Sequence, residues 1–218
     1  MARALTIDFI SDVMCPWCAV GLHSLLQALD QLGDDVEASI RFRPFELAPD
    51  MDTDGEYIIP HLSAKYGISE AQVRQNQAQI TARGAQLGFR FDFRDDSRKW
   101  NTFDAHRLLH WAGEQGEEQQ LALKKGLLAA YFTDNRNPSD PQVLCELAAE
   151  AGLDEDVARE VLASGRYAEE VRHEEALWQQ RGVSSVPTVV FNERYALTGG
   201  QPVEAYVEAI RDLLAQPS

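Results

Sequence analysis

Strand periodicity is confined to the two ends of this 218-residue chain, and that segregation limits the folds open to it. Leu5, Ile7 and Phe9 alternate with Thr6 and Asp8, the period of two expected of a strand, until Ser11-Asp12 breaks the pattern. From Pro16 the apolar positions become Leu22, Leu25, Leu26 and Leu29, a helical stripe that Gly33 can end. Residues 36–45 alternate again through Ile40 and Phe42, and Pro44 closes them. This β-α-β unit predicts parallel strands joined by a right-handed crossover.

From about residue 55 to about residue 165 strand signals nearly vanish. Amphipathic helices are predicted over 69–87, 101–113, 117–132, 140–151 and 154–163, with start signals at Ser69 and at Asp140-Pro141. Residues 89–93 alternate in isolation and read as an extended connector. Mixed structure then returns: a helix over 167–181, a strand at 188–192, a tight turn at Glu193-Arg194, and an antiparallel return over 195–198. After Gly199-Gly200 a last helix carries Val203, Tyr206, Val207, Ile210, Leu213 and Leu214 on one face.

Composition narrows the function classes. A formal charge of -15 argues against nucleic acid and anionic lipid as partners. The longest apolar run, Leu127–Phe132, is far short of the roughly 20 residues that span a bilayer. The N-terminal apolar stretch is broken by Asp8, unlike a secretory signal, so the mature chain is expected to begin at Met1 or Ala2, in the cytoplasm. Three cysteines are too few for a structural disulfide framework, yet two of them form a C-x-x-C pair.

That pair, Cys15-Pro16-Trp17-Cys18, falls at the joint between the first strand and the first helix. The first sulfur should therefore sit beside the unpaired N–H groups of a helix N-terminus. A free thiol of pKa about 8.5 is only about 3% thiolate at pH 7, and lowering it to about 7 makes the attacking species half the population. Cys18, one turn deeper, can reach back to resolve a mixed disulfide. Pro16 suits the first turn, and Trp17 offers an apolar flank. Zinc is the competing reading, because His106 and His110 complete a Cys2His2 set on paper; the separation of 88 positions from Cys18 to His106 counts against it. Val186-Pro187-Thr188 enters the second hydrophobic strand, where an X-Pro bond can be cis and expose the preceding backbone.

Other residues have plainer expectations. Asp12 is expected to cap the turn, and Cys145 to be a small buried hydrophobe. His23, His61 and His173 show no partner by spacing, and the acidic run 169–175 reads as a solvated helix face.

In combination these segments resemble the DsbA family of thioredoxin-like oxidoreductases and, within it, a cytosolic FrnE-like branch. The resemblance rests on S-D-V-M-C-P-W-C, on N-T-F-D-A-H-R-L at 101–108, on G-V-S-S-V-P-T-V-V-F-N at 182–192 and on T-G-G-Q-P at 198–202. It implies an α/β fold: a thioredoxin domain formed by residues 1–54 and 166–218, interrupted by a helical insertion, or lid, at 55–165. Excising residues 55–165 leaves 107, the size of one small α/β domain. It also implies Cys15 as nucleophile, Cys18 as resolving thiol and Pro187, after Val186, as a facing cis-proline. Asn101, Thr102 and Phe103 become candidates for the substrate cleft; their simpler reading is helix cap and core.

The expected activity is dithiol–disulfide exchange on a disulfide-containing protein or a small-molecule thiol, with no metal and no cofactor beyond the redox-active disulfide. Glutathione is a candidate co-substrate, and the oligomeric state is left open. In a reducing compartment the pair favours reductase, isomerase or sensing work. The alternative is a glutathione-dependent transferase or isomerase, since the layout is also similar to 2-hydroxychromene-2-carboxylate isomerases and kappa-class transferases. Those typically carry serine where Cys15 stands and lack the second cysteine.

Overall fold

β1 (Arg3–Ser11) is buried on both faces from Ile7 onward, as a strand must be to run through the middle of a sheet. In the computed structural model, which describes residues 2–52 and 54–215, it lies between β2 (Val36–Pro44) and β5 (Thr188–Phe191). β6 (Tyr195–Thr198) completes the order β2-β1-β5-β6. β2 is parallel to β1, pairing Phe9 with Phe42, and α1 (Pro16–Leu32) makes the crossover. β5 and β6 are antiparallel to their neighbours. The predicted opening unit is therefore present.

α9 (Val203–Ala215) packs along α1. Their approach depends on Gly21, where a Cβ would lie 3.0 Å from Pro187 Cγ and 3.4 Å from the Tyr206 hydroxyl. A hydrogen at this position lets helix, proline and tyrosine meet.

Between β2 and β5 come α2 (Ile58–Tyr66), α3 (Glu70–Gln86), α4 (Phe103–Gln115), α5 (Glu117–Phe132), α6 (Pro141–Glu150), α7 (Glu155–Ser164) and α8 (Ala168–Gln180). Ser69 Oγ accepts from the Gln72 N–H at 3.2 Å, and Asp140 accepts from the Gln142 N–H at 2.8 Å, as their start signals predict. α4 and α5 pack against β2, so one continuous core joins the sheet to this helical block. The extended connector runs through that core: Phe91 stacks on Phe93 at 5.3 Å and meets Phe132 edge-on at 5.1 Å.

Three features depart from the sequence expectation. α2 and a two-residue ladder, β3 (Glu56–Tyr57) with β4 (Arg98–Lys99), were not read from periodicity. α4 begins at Phe103 rather than 101, because Asn101 Oδ1 accepts from the Phe103 N–H at 2.9 Å and holds the chain outside the helix. The β5–β6 turn is centred one residue earlier than predicted: Asn192 and Glu193 take φ of 48° and 57°, and the Arg194 N–H donates to Phe191 O at 3.0 Å.

Candidate active site

Cys15 is the last residue before α1, with extended backbone (φ -92°, ψ 112°). Its carbonyl accepts from the N–H groups of Cys18 at 3.0 Å and Ala19 at 3.3 Å. Pro16 takes the first helical position, and no acidic side chain in the first turn offsets the positive end of the helix dipole. The Cys18 thiol lies against Cys15 and is fully enclosed, whereas Cys15 keeps 4% of its surface at the floor of a cavity. Burial pushes the Cys18 thiol well up; contact with Cys15 adds to the rise, while the charge of Lys124 and a backbone hydrogen bond at Asp12 oppose it.

Cys15 Sγ donates to Val186 O at 3.6 Å, and the Val186–Pro187 peptide bond is cis. Cys15, Pro16, Trp17 and Val186 line one cavity of about 610 Å³; Pro187 stands behind them against Gly21. Trp17 is 43% exposed and its ring edge rests on Gly200, where a Cβ would come within 2.9 Å of Trp17 Cε3. The segments 15–18, 186–187 and 198–200, remote in sequence, thus converge.

Behind the thiols lies a buried polar cluster. Asp12 is wholly buried and accepts from the Leu47 N–H at 2.8 Å and the Met14 N–H at 3.4 Å, with His106 Nε2 at 3.5 Å. Burial raises its carboxyl, but hydrogen bonding and charge from His106, with bonds from Leu47 and Thr102, outweigh that and hold it below the usual range. Capping is one part of its work; it also ties β1 to the β2–α2 loop and to α4.

Asp12→Ala is expected to cost about 3 kcal/mol, because it strands a buried histidine and two N–H groups. Thermal melting should fall by roughly 6–12 °C in a chain of this size. Because the folded carboxyl is held below the unfolded value of 3.8, its stabilisation is fully present above that value and is lost as pH falls through the folded one. The gap between wild type and variant should stay level from neutrality to about pH 4 and close in stronger acid.

Lys124, on α5, belongs to the same cluster. It is 0% exposed, and its Nζ has no hydrogen-bond partner among the described residues. Burial lowers its ammonium, against a pull upward from Cys18, Asp12 and Cys15. Lys124 and His106 both border a separate cavity of about 240 Å³ that opens beside Arg41 and Arg43 on β2. Sequence reasoning missed Lys124, since nothing in Lys124-Lys125 marks which lysine turns inward.

The remaining candidates are placed elsewhere. Asn101, Thr102 and Phe103 do not line the cavity above Cys15. Asn101 holds the α4 entry and donates to Pro49 O at 3.1 Å, Thr102 is buried and helps hold the Asp12 carboxyl low, and Phe103 lies under the Arg172 guanidinium at 3.9 Å. His110 faces Glu174 at 3.7 Å, so the two histidines of the zinc reading serve different acids. His61 meets Glu56 at 2.6 Å, and His23 bonds Ala19 O at 2.9 Å. Cys145 is buried on α6. The acidic run is not wholly solvated: Glu175 is buried and accepts from the Glu46 N–H at 3.0 Å and from Arg172 at 2.9 Å.

Against this geometry, the profile of the DSBA-like thioredoxin domain matches residues 6–211. The chain belongs to the DSBA-like thioredoxin family. Its architecture is the DsbA-like thioredoxin fold, a mixed sheet with a helical insertion. This DSBA-like chain is 34% identical to a Streptomyces coelicolor protein described as a "probable DsbA oxidoreductase", with a TM-score of 0.91 over 98% of this chain and 92% of that one. It is 26% identical to the uncharacterized protein YwbO of Bacillus subtilis, over 94% of this chain and 96% of YwbO. The cytosolic disulfide reductase DsbM of Pseudomonas aeruginosa, solved with GSH, shares the fold at 17% identity and a TM-score of 0.66, covering 97% of this chain and 100% of that one. Among the described residues of this DSBA-like chain no helix is long and apolar enough to cross a membrane.

Proposed function

We propose that the protein is a dithiol–disulfide oxidoreductase acting through Cys15 and Cys18. The observation that carries the reading is the position of Cys15: at the N-terminus of α1, floor of an open cavity, with Cys18 against it and the Val186 carbonyl opposite. The Cys15 thiolate attacks one sulfur of a substrate disulfide, forming a mixed disulfide and releasing the other sulfur as a thiolate. Cys18 gives up its proton, attacks Cys15 Sγ and releases the second thiol, so two electrons pass from the pair to the substrate. Run in reverse, the oxidised pair delivers its disulfide. Pro16 and Trp17 shape the thiol's flank, and Val186-Pro187 presents backbone to the bound disulfide.

Chain features refine the setting. The N-T-F-D-A-H-R-L segment supports the FrnE-like branch, and three cysteines with no disulfide framework support a reducing cytoplasm. DsbM, whose name places it in the cytosol, supports the reductase direction and glutathione as a co-substrate. A transferase of the kappa type needs one group at position 15 and gives the buried Cys18 no task.

Equilibration with reduced and oxidised glutathione tests the reading. The protein should gain one internal disulfide, a mass loss of about two units for a two-electron couple, with Cys145 still free. Trp17, lying between the cysteines, should report the change in fluorescence. A stable glutathione adduct at Cys15 with no Cys15–Cys18 bond would defeat it.

A further inference from the structure

The cavity above Cys15 differs in charge from the rest of the molecule. The chain carries 35 acidic residues against 20 basic ones, yet none of the 22 residues lining this cavity is Asp or Glu. Two lining residues are lysines, Lys65 and Lys99, out of only four lysines in the sequence. Neither forms an ion pair among the described residues, where arginine and histidine supply the cation in every such pair.

Their placement is specific. Lys99, only 6% exposed, stands on β4 with Nζ 3.5 Å from His61 Nε2. The charged groups that act on it are Lys65, Asp12, Cys15 and Glu56. Of the two carboxylates, Asp12 is sealed behind the thiols, and Glu56 is held by His61. Lys65, exposed at the end of α2, reaches over the ring of Tyr66. Trp17 and Tyr66, at 43% and 62% exposure, form apolar walls at the mouth. The volume, about 610 Å³, suits a single small molecule. A thiol with 4% of its surface open, at the floor of such a cavity, is reached by a slender disulfide more readily than by one on a broad protein face.

We infer that the substrate is a low-molecular-weight disulfide with an apolar or aromatic body and carboxylate groups, oriented by Lys99 and Lys65 so that one of its sulfurs meets Cys15. This rests on the exchange chemistry proposed above and names its substrate class. The electron balance is unchanged: the reduced pair is oxidised to a disulfide, and the substrate leaves as two thiols. Two cations without an ion-pair partner among the described residues, at a cavity with no lining carboxylate, also favour the approach of an anion to that cavity.

The test uses the reduced full-length protein, freed of reductant, in single turnover with 4,4′-dithiodibenzoate and its neutral diamide. Each rate constant is divided by that of the same disulfide with a free cysteine peptide, which removes intrinsic reactivity. The normalised ratio of dianion to diamide should be about tenfold at low ionic strength and shrink with salt. It should fall toward one in Lys99→Gln and be reduced in the exposed-site variant Lys65→Gln, whose folding is not at issue. A ratio near one in the wild type, with both disulfides outpacing the peptide, overturns the substrate class and leaves the exchange chemistry standing. A ratio that survives both substitutions or is indifferent to salt overturns it as well. If neither disulfide reacts faster than with the peptide, the exchange reading itself fails and this inference with it.

Discussion

Cys18→Ser should attack a disulfide once and then stop. The thiol of Cys15 remains at the head of α1, so oxidised glutathione should still be cleaved and half of it retained on the protein. The group that would displace that half is missing. Mass spectrometry should therefore find one stable adduct, on Cys15, removed by dithiothreitol, and multiple-turnover reduction should fall by at least about a thousandfold. Cys15→Ser should lose the first step too and form no adduct at that position. Equal turnover in wild type and Cys18→Ser would mean that external thiol, not Cys18, completes the cycle.

Lys124→Met should make the protein more stable and less able to finish a turnover. The ammonium is enclosed with no hydrogen-bond partner, so replacing it with an apolar chain of similar length removes a desolvation cost of about 1–3 kcal/mol. The pH dependence fixes the sign. Burial holds the folded lysine below its unfolded value of 10.5, so the cost is fully present below the folded pKa and disappears as pH rises to 10.5. The melting advantage of the variant should thus be greatest below the folded pKa and vanish in strong alkali. The same substitution removes a charge that favours the Cys18 thiolate, and Cys18 needs that form to release the mixed disulfide. Release should slow about tenfold near pH 7.5 and its pH profile should move upward, one pKa unit corresponding to tenfold in thiolate. A variant that is stabilised with an unshifted profile would limit Lys124 to a structural role.

The sheet and its first crossover were legible because burial on one or both faces writes a period into residues such as Ile7, Phe9, Ile40 and Phe42. The C-x-x-C pair was legible because its position between two periods is itself geometric information. α2 was not: it has nine residues, opens on Ile58-Ile59 and carries Pro60 in its first turn, so it offers neither length nor propensity. β3 and β4 contribute two residues each, below any periodicity. Glu175 fell within a run read as a solvated helix face, and nothing in the sequence marked Lys99 or Lys124, because charge normally stays in water and only tertiary packing turns these residues inward. Asn101, Thr102 and Phe103 drew notice through family resemblance, yet the structure gives them capping, bonding and stacking tasks around α4.

α4 and α5 bring His106 and Lys124 to the rear of the sulfur pair, although both helices are interposed between the strands that carry the thioredoxin pattern. A substitution in this block that suits a new ligand would also change the charge around the two thiols. Grafting the helices of a relative onto this sheet should transplant an electrochemical set-point along with a specificity.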